Sequence, residues 1–151
     1  MRIEVVGERD LPELLPLVRA YCDFYHSHPS DRDLLTISRA LIEDPRREGV
    51  QLLARNGSDA TGFATLYWTW ETNSGGRVGV MNDLFVVPTV RGTGVGRALI
   101  AACLERCRAG GARRLTWQTA PDNLRAQALY ARVGAVREQW IDYWLASDPD
   151  G

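Results

Sequence analysis

The sequence predicts one mixed α/β domain whose central sheet changes from antiparallel to parallel pairing. The chain has 151 residues, of which 45% are apolar and 25% charged, and this balance suffices for one sizeable buried core. Its first half carries strand patterns separated by short turns, and its second half alternates strands with helices. No internal repeat or linker divides the chain. We therefore expect a single domain over residues 1–151, with its core at about 2–145.

The chain begins with a strand and two helices. Residues 2–6 alternate enough for a short strand. A helix is predicted after Asp10, because proline and glutamate suit its first turn and apolar residues then recur at helical spacing. A second helix is predicted from about residue 31 to 42, since Pro45 breaks the pattern soon afterwards.

Three strands are predicted in the middle of the chain. The segments 51–55 and 62–71 are separated by an Asn56-Gly57 turn, which is a strong hairpin signal. After a second glycine-containing turn, residues 78–87 have the apolar content of a buried central strand.

The second half of the chain alternates helices and strands. An amphipathic helix is predicted at about 95–108, and Gly110 ends it. A strand at 115–119 and a helix at 123–133 follow. An aromatic segment at 139–145 is predicted to be the final strand, and the last six residues a frayed tail.

The charge composition excludes several functions. The chain contains 18 arginines, no lysine and 19 acids, for a net charge of −1. A general nucleic-acid-binding surface is therefore disfavoured, and a Walker A loop or a lysine Schiff base is excluded. Residues 1–75 carry eight arginines and twelve acids, whereas residues 76–151 carry ten arginines and seven acids. This split favours an anionic cofactor on the second half and a cationic substrate on the first.

The cysteines and histidines do not indicate a metal site. Three cysteines are too few for a four-cysteine zinc site, and Cys103 and Cys107 share one helix face. Small core residues in a reducing cytoplasm are favoured over a metal or redox pair. His26 and His28 are interpreted as exposed loop residues rather than as a base or metal pair, since no third ligand is evident. We expect no signal peptide and no membrane span.

The most informative segment follows the central strand. It consists of Arg91, Gly92, Thr93, Gly94, Val95, Gly96 and Arg97. It opens into a helix, whose first N–H groups are unpaired and positively polarised, and glycine lets a backbone approach an anion closely. A phosphate or pyrophosphate site is therefore predicted. The Gly-x-Gly-x-Gly spacing disfavours a dinucleotide fingerprint, and tight strand-to-helix packing alone is the alternative.

A longer pattern around this segment resembles the acetyl-CoA signature of the GNAT superfamily of N-acetyltransferases. Arg91-x-x-Gly94-x-Gly96 follows a Leu-Phe-Val-x-Pro strand, and a second block runs from Ala120-Pro121-Asp122-Asn123 to Ala128-Leu129-Tyr130. The order of the elements agrees over nearly the whole chain. The resemblance implies a mixed, mostly antiparallel sheet of about six to seven strands, about four flanking helices, and strands that splay at the cofactor site.

The resemblance also implies which residues contact acetyl-CoA as the co-substrate. Main-chain N–H groups of the glycine-rich segment, together with Arg97, would hold the pyrophosphate. The backbone of Phe85, Val86 and Val87 would face the pantetheine arm and the thioester carbonyl. Asn123 would hydrogen-bond the arm where the strands splay. No metal is implied.

Acid and base candidates complete this expectation. By the resemblance, Tyr130 would be the general acid for the leaving thiolate, with core packing as the alternative. A base must take the amine proton, and the candidates are Asp83 and Glu71. A polyamine-type branch of the superfamily has glutamate where this chain has Asn82, which leaves the base open. Because strand side chains alternate, Asn82 and Asp83 are not expected to face the same side. Direct transfer is favoured over an acyl-enzyme, since no Cys-His pairing occurs in the motif region.

Aromatic clusters beside carboxylates indicate where the amine binds. The residues singled out are Tyr25, Trp68, Trp70 and Glu71. Aromatic faces next to an acid suit a small cation, although alternate members could instead fill the core. The clusters resemble the diamine and thialysine acetyltransferase branch. This likeness implies a polyamine-like or amino-acid-like acceptor.

Other functions stay open at this stage. The same fold could acetylate a protein N-terminus or an aminoglycoside. A regulatory module that binds acyl-CoA without turnover is disfavoured by the presence of Tyr130 and Asn123 together with the glycine loop, because a binding module needs no general acid. The closing aromatic strand indicates a homodimer, since this region often lies at a dimer interface in the superfamily. We expect a cytoplasmic enzyme with no nucleic-acid or membrane partner.

Overall fold

Five strands form one sheet in chain order. The computed structural model describes residues 1–148. The strands are β1 (Arg2–Val5), β2 (Gly49–Asn56), β3 (Asp59–Glu71), β4 (Gly76–Val86) and β5 (Leu115–Thr116). The first three pairings are antiparallel, and the β4–β5 pairing is parallel. The predicted change of pairing within one mixed sheet is confirmed.

Four helices cover the two faces of this sheet. The helices are α1 (Leu11–Phe24), α2 (Asp31–Glu43), α3 (Val95–Ala109) and α4 (Leu124–Arg132). The first two pack on one face, called the α1 face, and the other two on the opposite α3 face. The helices α2, α3 and α4 lie within one residue of their predicted bounds, and α1 begins directly after Asp10, as predicted. None of the helices in residues 1–148 is long and apolar enough to cross a bilayer.

The β2–β3 hairpin confirms the Asn56-Gly57 signal. Asn56 pairs with Asp59 across the turn, and Gly57 adopts a left-handed φ of 62°. Glycine takes this conformation without the steric cost that a Cβ imposes. Both strands run longer than predicted, because the ladder continues into the polar residues that flank the apolar runs.

Alternate side chains of β3 build the two cores. Phe63 is fully buried on the α1 face, where it packs with Leu14 of α1. Leu66 is fully buried on the α3 face with Leu99 of α3. Burial of each such side chain stabilises the fold by about 1.5–3 kcal/mol. Both faces of β3 are therefore shielded, and functional groups must lie at the ends or free edges of the sheet.

The cysteines are core residues. Cys22, Cys103 and Cys107 are all free and buried, which confirms the packing interpretation over a metal or redox pair. The Cys107 sulfur fills the space at Gly79, where a Cβ would lie 2.5 Å from Sγ. Burial raises the pKa of Cys103 to about 12, so its thiol stays protonated and unreactive at neutral pH.

The predicted final strand is wrong, and the sheet has five strands rather than six or seven. Residues 139–145 form no strand, and Trp140, Tyr143 and Trp144 are more than three-quarters exposed. Side-chain hydrogen bonds connect this part of the chain to residues near β5, for example Gln118 Nε2 donating to Asp142 Oδ2 at 2.6 Å. An aromatic strand pattern needs a neighbouring edge to pair with. Because β5 is two residues long, it offers almost none.

Candidate active site

The glycine-rich segment forms an open turn at the start of α3. Gly92 and Gly94 have φ values of 82° and 98°, which a residue with a Cβ adopts only at a cost. Within residues 1–148, no carbonyl or side chain accepts a hydrogen bond from the N–H groups of residues 92–97. These N–H groups lie at the positive end of a 15-residue helix. The segment is therefore built to receive an anion.

The remaining residues of the glycine-rich segment differ in where their side chains lie. The Arg91 guanidinium folds back onto β4, where Nε donates to Val86 O at 2.9 Å and the charge lies 5.6 Å from the Phe85 ring. Arg97 and Thr93 are exposed, whereas the Val95 side chain is buried in the core. A Cβ on Gly96 would come within 3.0 Å of Leu129 on α4. The lack of a side chain at Gly96 lets α4 pack closely against α3 at this point.

The strands β4 and β5 diverge and leave one edge of β4 free. Their pairing ends at Val80 and Thr116. Because Val87 N–H donates toward β3, to Thr61 O at 2.9 Å, the N–H of the preceding Val86 points to the free edge. The expected splay is confirmed. Of the three residues 85–87, Val86 is the one whose N–H lines the gap.

Asp83 lies on the α1 face of β4, beside a β-bulge. Thr65 pairs with Asp83, but Leu66 pairs with Met81, so Asn82 is an extra residue. The Asn82 amide Nδ2 donates to Asp83 Oδ1 at 3.0 Å. The expectation that these neighbours face opposite sides is therefore wrong, because the bulge interrupts the alternation.

The surroundings of Asp83 suit a base. Burial raises the pKa of its carboxyl above the usual range, while the hydroxyls of Thr65 and Tyr21 and the Asn82 amide partly oppose this rise. The Tyr21 hydroxyl also donates to Asn82 O at 3.3 Å and so covers the bulge from α1. Within residues 1–148, no cation pairs with Asp83. Its proton affinity is shifted toward neutral pH, where a base works best.

Tyr130 reaches the same gap from the α3 face. Its ring packs edge-on against Trp117 at 5.2 Å, and its hydroxyl lies beside that of Thr119. Tyr25 of α1 interacts electrostatically with it, although α1 lies on the opposite face. Burial raises the pKa of Tyr130, so its phenol stays protonated at neutral pH.

Glu71 lies at the far end of the sheet. It pairs with Gly76 at the start of β4, six residues along β3 from Thr65, or about 20 Å. Arg114 forms an ion pair with it at 3.0 Å, and the Ser74 hydroxyl donates to its carboxylate. These contacts lower the pKa of Glu71. The structure does not bring this acid together with Asp83.

The two tryptophans lie toward that same end. Trp68 packs into the α3 core, and its Nε1 donates to Pro45 O at 3.1 Å. Trp70 is 78% exposed and stacks with Arg77 at 5.9 Å. Of the predicted acceptor-side residues, Tyr25 alone lies near Tyr130 and the gap.

Asn123 and the histidines complete the set of predicted candidates. The Asn123 side chain caps α4, with Oδ1 accepting from Ala126 N–H at 3.2 Å. His26 and His28 lie in an exposed loop, as expected, and His28 is 3.9 Å from Asp23. No group of three metal-ligating side chains occurs in the described part of the chain.

Sequence reasoning missed Thr65, which pairs with Asp83, and did not single out Tyr21 and Tyr67 from the aromatic clusters. Phe63, Thr65 and Tyr67 alternate onto the α1 face, so Tyr67 and not Trp68 interacts with Asp83. Burial raises the pKa of Tyr67 to about 12. The alternation of side chains along β3 already places Thr65 and Tyr67 on one face of the strand. The sequence does not reveal that α1 and Asp83 lie on that same face.

Known proteins share this sequence pattern and fold. The sequence model of the Acetyltransferase (GNAT) family matches residues 12–135. The chain is 33% identical over 149 residues to the uncharacterized N-acetyltransferase YhfO of Bacillus subtilis (strain 168), covering 99% of each chain. It superposes on a probable acetyltransferase with a TM-score of 0.84 at 25% identity, covering 99% of this chain and 100% of that one. Aminoglycoside N-acetyltransferase AAC(6')-Iy in complex with CoA gives a TM-score of 0.85 at 21% identity, covering 97% and 95%.

The fold and these similarities define an acyltransferase. More particularly, the chain belongs to the acetyltransferase (GNAT) family, and the resemblance stated from its motifs is confirmed. It is an N-acetyltransferase by family.

Proposed function

We propose that this protein transfers the acetyl group of acetyl-CoA directly to a small primary amine at the gap between β4 and β5. Three features at and beside the free edge of β4 support the proposal. They are the unpaired N–H groups of residues 92–97, the carboxylate of Asp83 and the phenol of Tyr130. An anion cradle, a base and an acid are what this reaction needs.

The glycine-rich segment fits the pyrophosphate of acetyl-CoA. Its six free N–H groups and the exposed Arg97 supply donors and positive charge. The open conformation at Gly94 leaves nothing within 4 Å of the position where a Cβ would lie. Phe85, Val86 and Val87 lead from this cradle along the free edge, where the pantetheine arm would bind. Asn123 stands at the start of α4, on the opposite side of the gap.

Three groups would carry the chemistry. Asp83 accepts a proton from the amine, directly or through water, and the amine nitrogen then forms a bond to the thioester carbonyl carbon. The Val86 N–H stabilises the negative charge that develops on the carbonyl oxygen. As the C–S bond breaks, Tyr130 donates its proton to the departing sulfur. The acylated nitrogen then gives up its second proton, which returns to the Tyr130 phenolate directly or through water, and Asp83 releases its own proton to water. The products are an N-acetylated amine and the free thiol of CoA.

The acceptor is proposed to be a small polyamine-like or amino-acid-like amine. Tyr21, Tyr25 and Tyr67 provide aromatic surface around one carboxylate, which suits a single ammonium group before its deprotonation. A larger polycationic acceptor would need further acids. Glu71 does not serve here, because Arg114 already neutralises it.

The test is release of CoA thiol from acetyl-CoA with polyamines, amino acids, aminoglycosides and short peptides as acceptors. Turnover with small amines, lost in Asp83→Asn, supports the proposal. Turnover with aminoglycosides or peptide N-termini alone would replace the acceptor class. Binding of acetyl-CoA without turnover on any acceptor would contradict an enzymatic role and favour a regulatory module.

We further propose a homodimer. The exposed side chains of Trp140, Ile141, Tyr143, Trp144 and Leu145 support it, because so many contiguous apolar residues are costly to leave in water. Sedimentation equilibrium measures the mass of the assembly. A mass of about 17 kDa at micromolar concentration would contradict the dimer, since the chain itself is 16.9 kDa.

A cytoplasmic location is the final element of the proposal. It is supported by three free cysteines, none of which forms a disulfide. Cell fractionation with a tagged full-length chain tests it.

A further inference from the structure

Three polar residues stand in one row across the sheet. Gln51 on β2 pairs in register with Thr65 on β3, and Thr65 pairs with Asp83 on β4. Gln51 is 5% exposed and Thr65 is fully buried, in the middle of an otherwise apolar region. Buried polar groups reduce stability unless they are paired, so this row calls for an explanation beyond packing.

The hydrogen bonds along the row have a direction. Gln51 Nε2 donates to Thr65 Oγ1 at 3.2 Å. A threonine hydroxyl has one proton to donate, and here its oxygen already accepts from the amide. That proton is consequently available to the Asp83 carboxylate, with which the Thr65 hydroxyl interacts. Each group in the row thus orients the next.

The far end of Gln51 faces a small cavity. Its Oε1 has no hydrogen-bond partner within residues 1–148, and the residue lines a cavity of about 60 Å³ together with Ser38 of α2. This volume accommodates a water molecule that could donate to Oε1. If the amide were reversed, Oε1 would face Thr65 and take its proton away from Asp83. The orientation of one amide therefore decides whether Asp83 receives a donor.

We propose that Gln51 and Thr65 are positioning residues that keep the Asp83 carboxylate oriented and ionised from the side of the sheet away from the gap. The inference rests on the proposed function for the role of Asp83 as base. The groups that face Asp83 are the phenols of Tyr21 from α1 and Tyr67 from β3, with the Asn82 amide beside it. Tyr25 and Cys22 lie behind Tyr21. None of these groups is cationic, so hydrogen-bond donors alone offset the cost of burying the charge.

The experiment measures the pKa of Asp83 directly. The carboxyl carbon is followed by ¹³C NMR in protein labelled at aspartate, and Asp83→Asn assigns the signal. Thr65→Val keeps the side-chain shape but removes the donor, and we expect the pKa to rise by about one unit. Thr65→Ser keeps the hydroxyl and should restore the original value. Gln51→Met should raise the pKa by a smaller amount.

A double variant separates positioning from packing. Because Gln51 acts through Thr65, adding Gln51→Met to Thr65→Val should raise the pKa no further. Ser38→Ala, which lines the same cavity outside the row, serves as the matched control and should leave the pKa unchanged. An unchanged pKa in both Thr65→Val and Gln51→Met, with thermal melts that show folded protein, would overturn the inference. If Thr65→Val does not fold, Gln51→Met decides alone.

Activity provides an independent second readout. The acid limb of kcat/KM should move with the measured pKa, so activity about one pH unit below that limb should fall about tenfold in Thr65→Val. If the pKa of Asp83 changes in these variants but Asp83→Asn stays active, the positioning role of Gln51 and Thr65 is supported. The assignment of Asp83 as the base is then contradicted. The two failures are therefore distinguishable.

Discussion

The β3–β4 hairpin carries Asp83 on β4 and Glu71 at the end of β3, and these two acids differ in burial, in their partners and in the direction of their pKa shifts. Asp83 lies beside the free edge, surrounded by hydroxyls and an amide, and burial raises its pKa. Glu71 lies at the far end of β3, and Ser74 and Arg114 lower its pKa. A cationic partner holds a carboxylate ionised and lowers its affinity for a proton. A carboxylate without a cationic partner keeps the proton affinity that a base requires.

The largest expected effect is a difference in activity between these two acids. Asp83→Asn should lower kcat/KM by about 10²–10⁴, because the amine would lose its proton acceptor. Glu71→Gln should change it less than about twofold. Steady-state thiol release at saturating acetyl-CoA measures both. Equal losses in the two variants would erase the proposed distinction.

Tyr130 and Trp70 extend the comparison to the aromatic residues. Tyr130→Phe keeps the contact with Trp117 but removes the acid, so kcat should fall by about 10–100-fold while KM for acetyl-CoA stays within about twofold. Trp70→Phe, at the exposed far end, should leave both constants unchanged. An unaltered kcat in Tyr130→Phe would remove this residue from the acid role.

Two glycines of similar conformation test the anion cradle. Gly94 and Gly111 flank α3, have φ values of 98° and 73°, and leave nothing within 4 Å of the position where a Cβ would lie. Alanine at either position should cost about 1 kcal/mol of stability through backbone strain. Gly94→Ala should also weaken CoA binding by about tenfold in calorimetry, because the loop N–H groups would shift. Similar CoA affinity in both variants would argue against the cradle.

The smallest expected effect is a change in thermal stability. The change in Tm should have opposite signs when Asp83 and Glu71 are each replaced by the corresponding amide. The folded-state pKa of Asp83 is raised, so its ionised form weakens the fold at neutral pH. Asp83→Asn should therefore raise Tm by about 2–4 °C at pH 7.5, and the gain should vanish below about pH 3.9. The pKa of Glu71 is lowered, so its contribution is present above about pH 4.3 and is lost as pH falls. Glu71→Gln should lower Tm slightly at pH 7.5; a decrease in both variants would contradict the different environments.

Local sequence signals predicted most of the elements and the open turn of the glycine-rich segment. The Asn56-Gly57 hairpin and the helix limits depend on residues close in the chain, so they could be predicted without knowledge of the fold. The strand at 139–145 could not be predicted reliably in this way, because aromatic content reports a preference for pairing and not the presence of a partner edge. β5 is too short to provide one.

The candidate site was predicted in part. The segment from Arg91 to Arg97 has its own conformation, set by glycines and a helix start, so its open turn follows from local sequence alone. The choice between Asp83 and Glu71, the bulge at Asn82, and the row from Gln51 to Asp83 arise from strand register and from which helix covers which face. Strand register and the packing of helices on each face are set by contacts between residues far apart in the chain. The residue pattern of a single strand therefore cannot predict them.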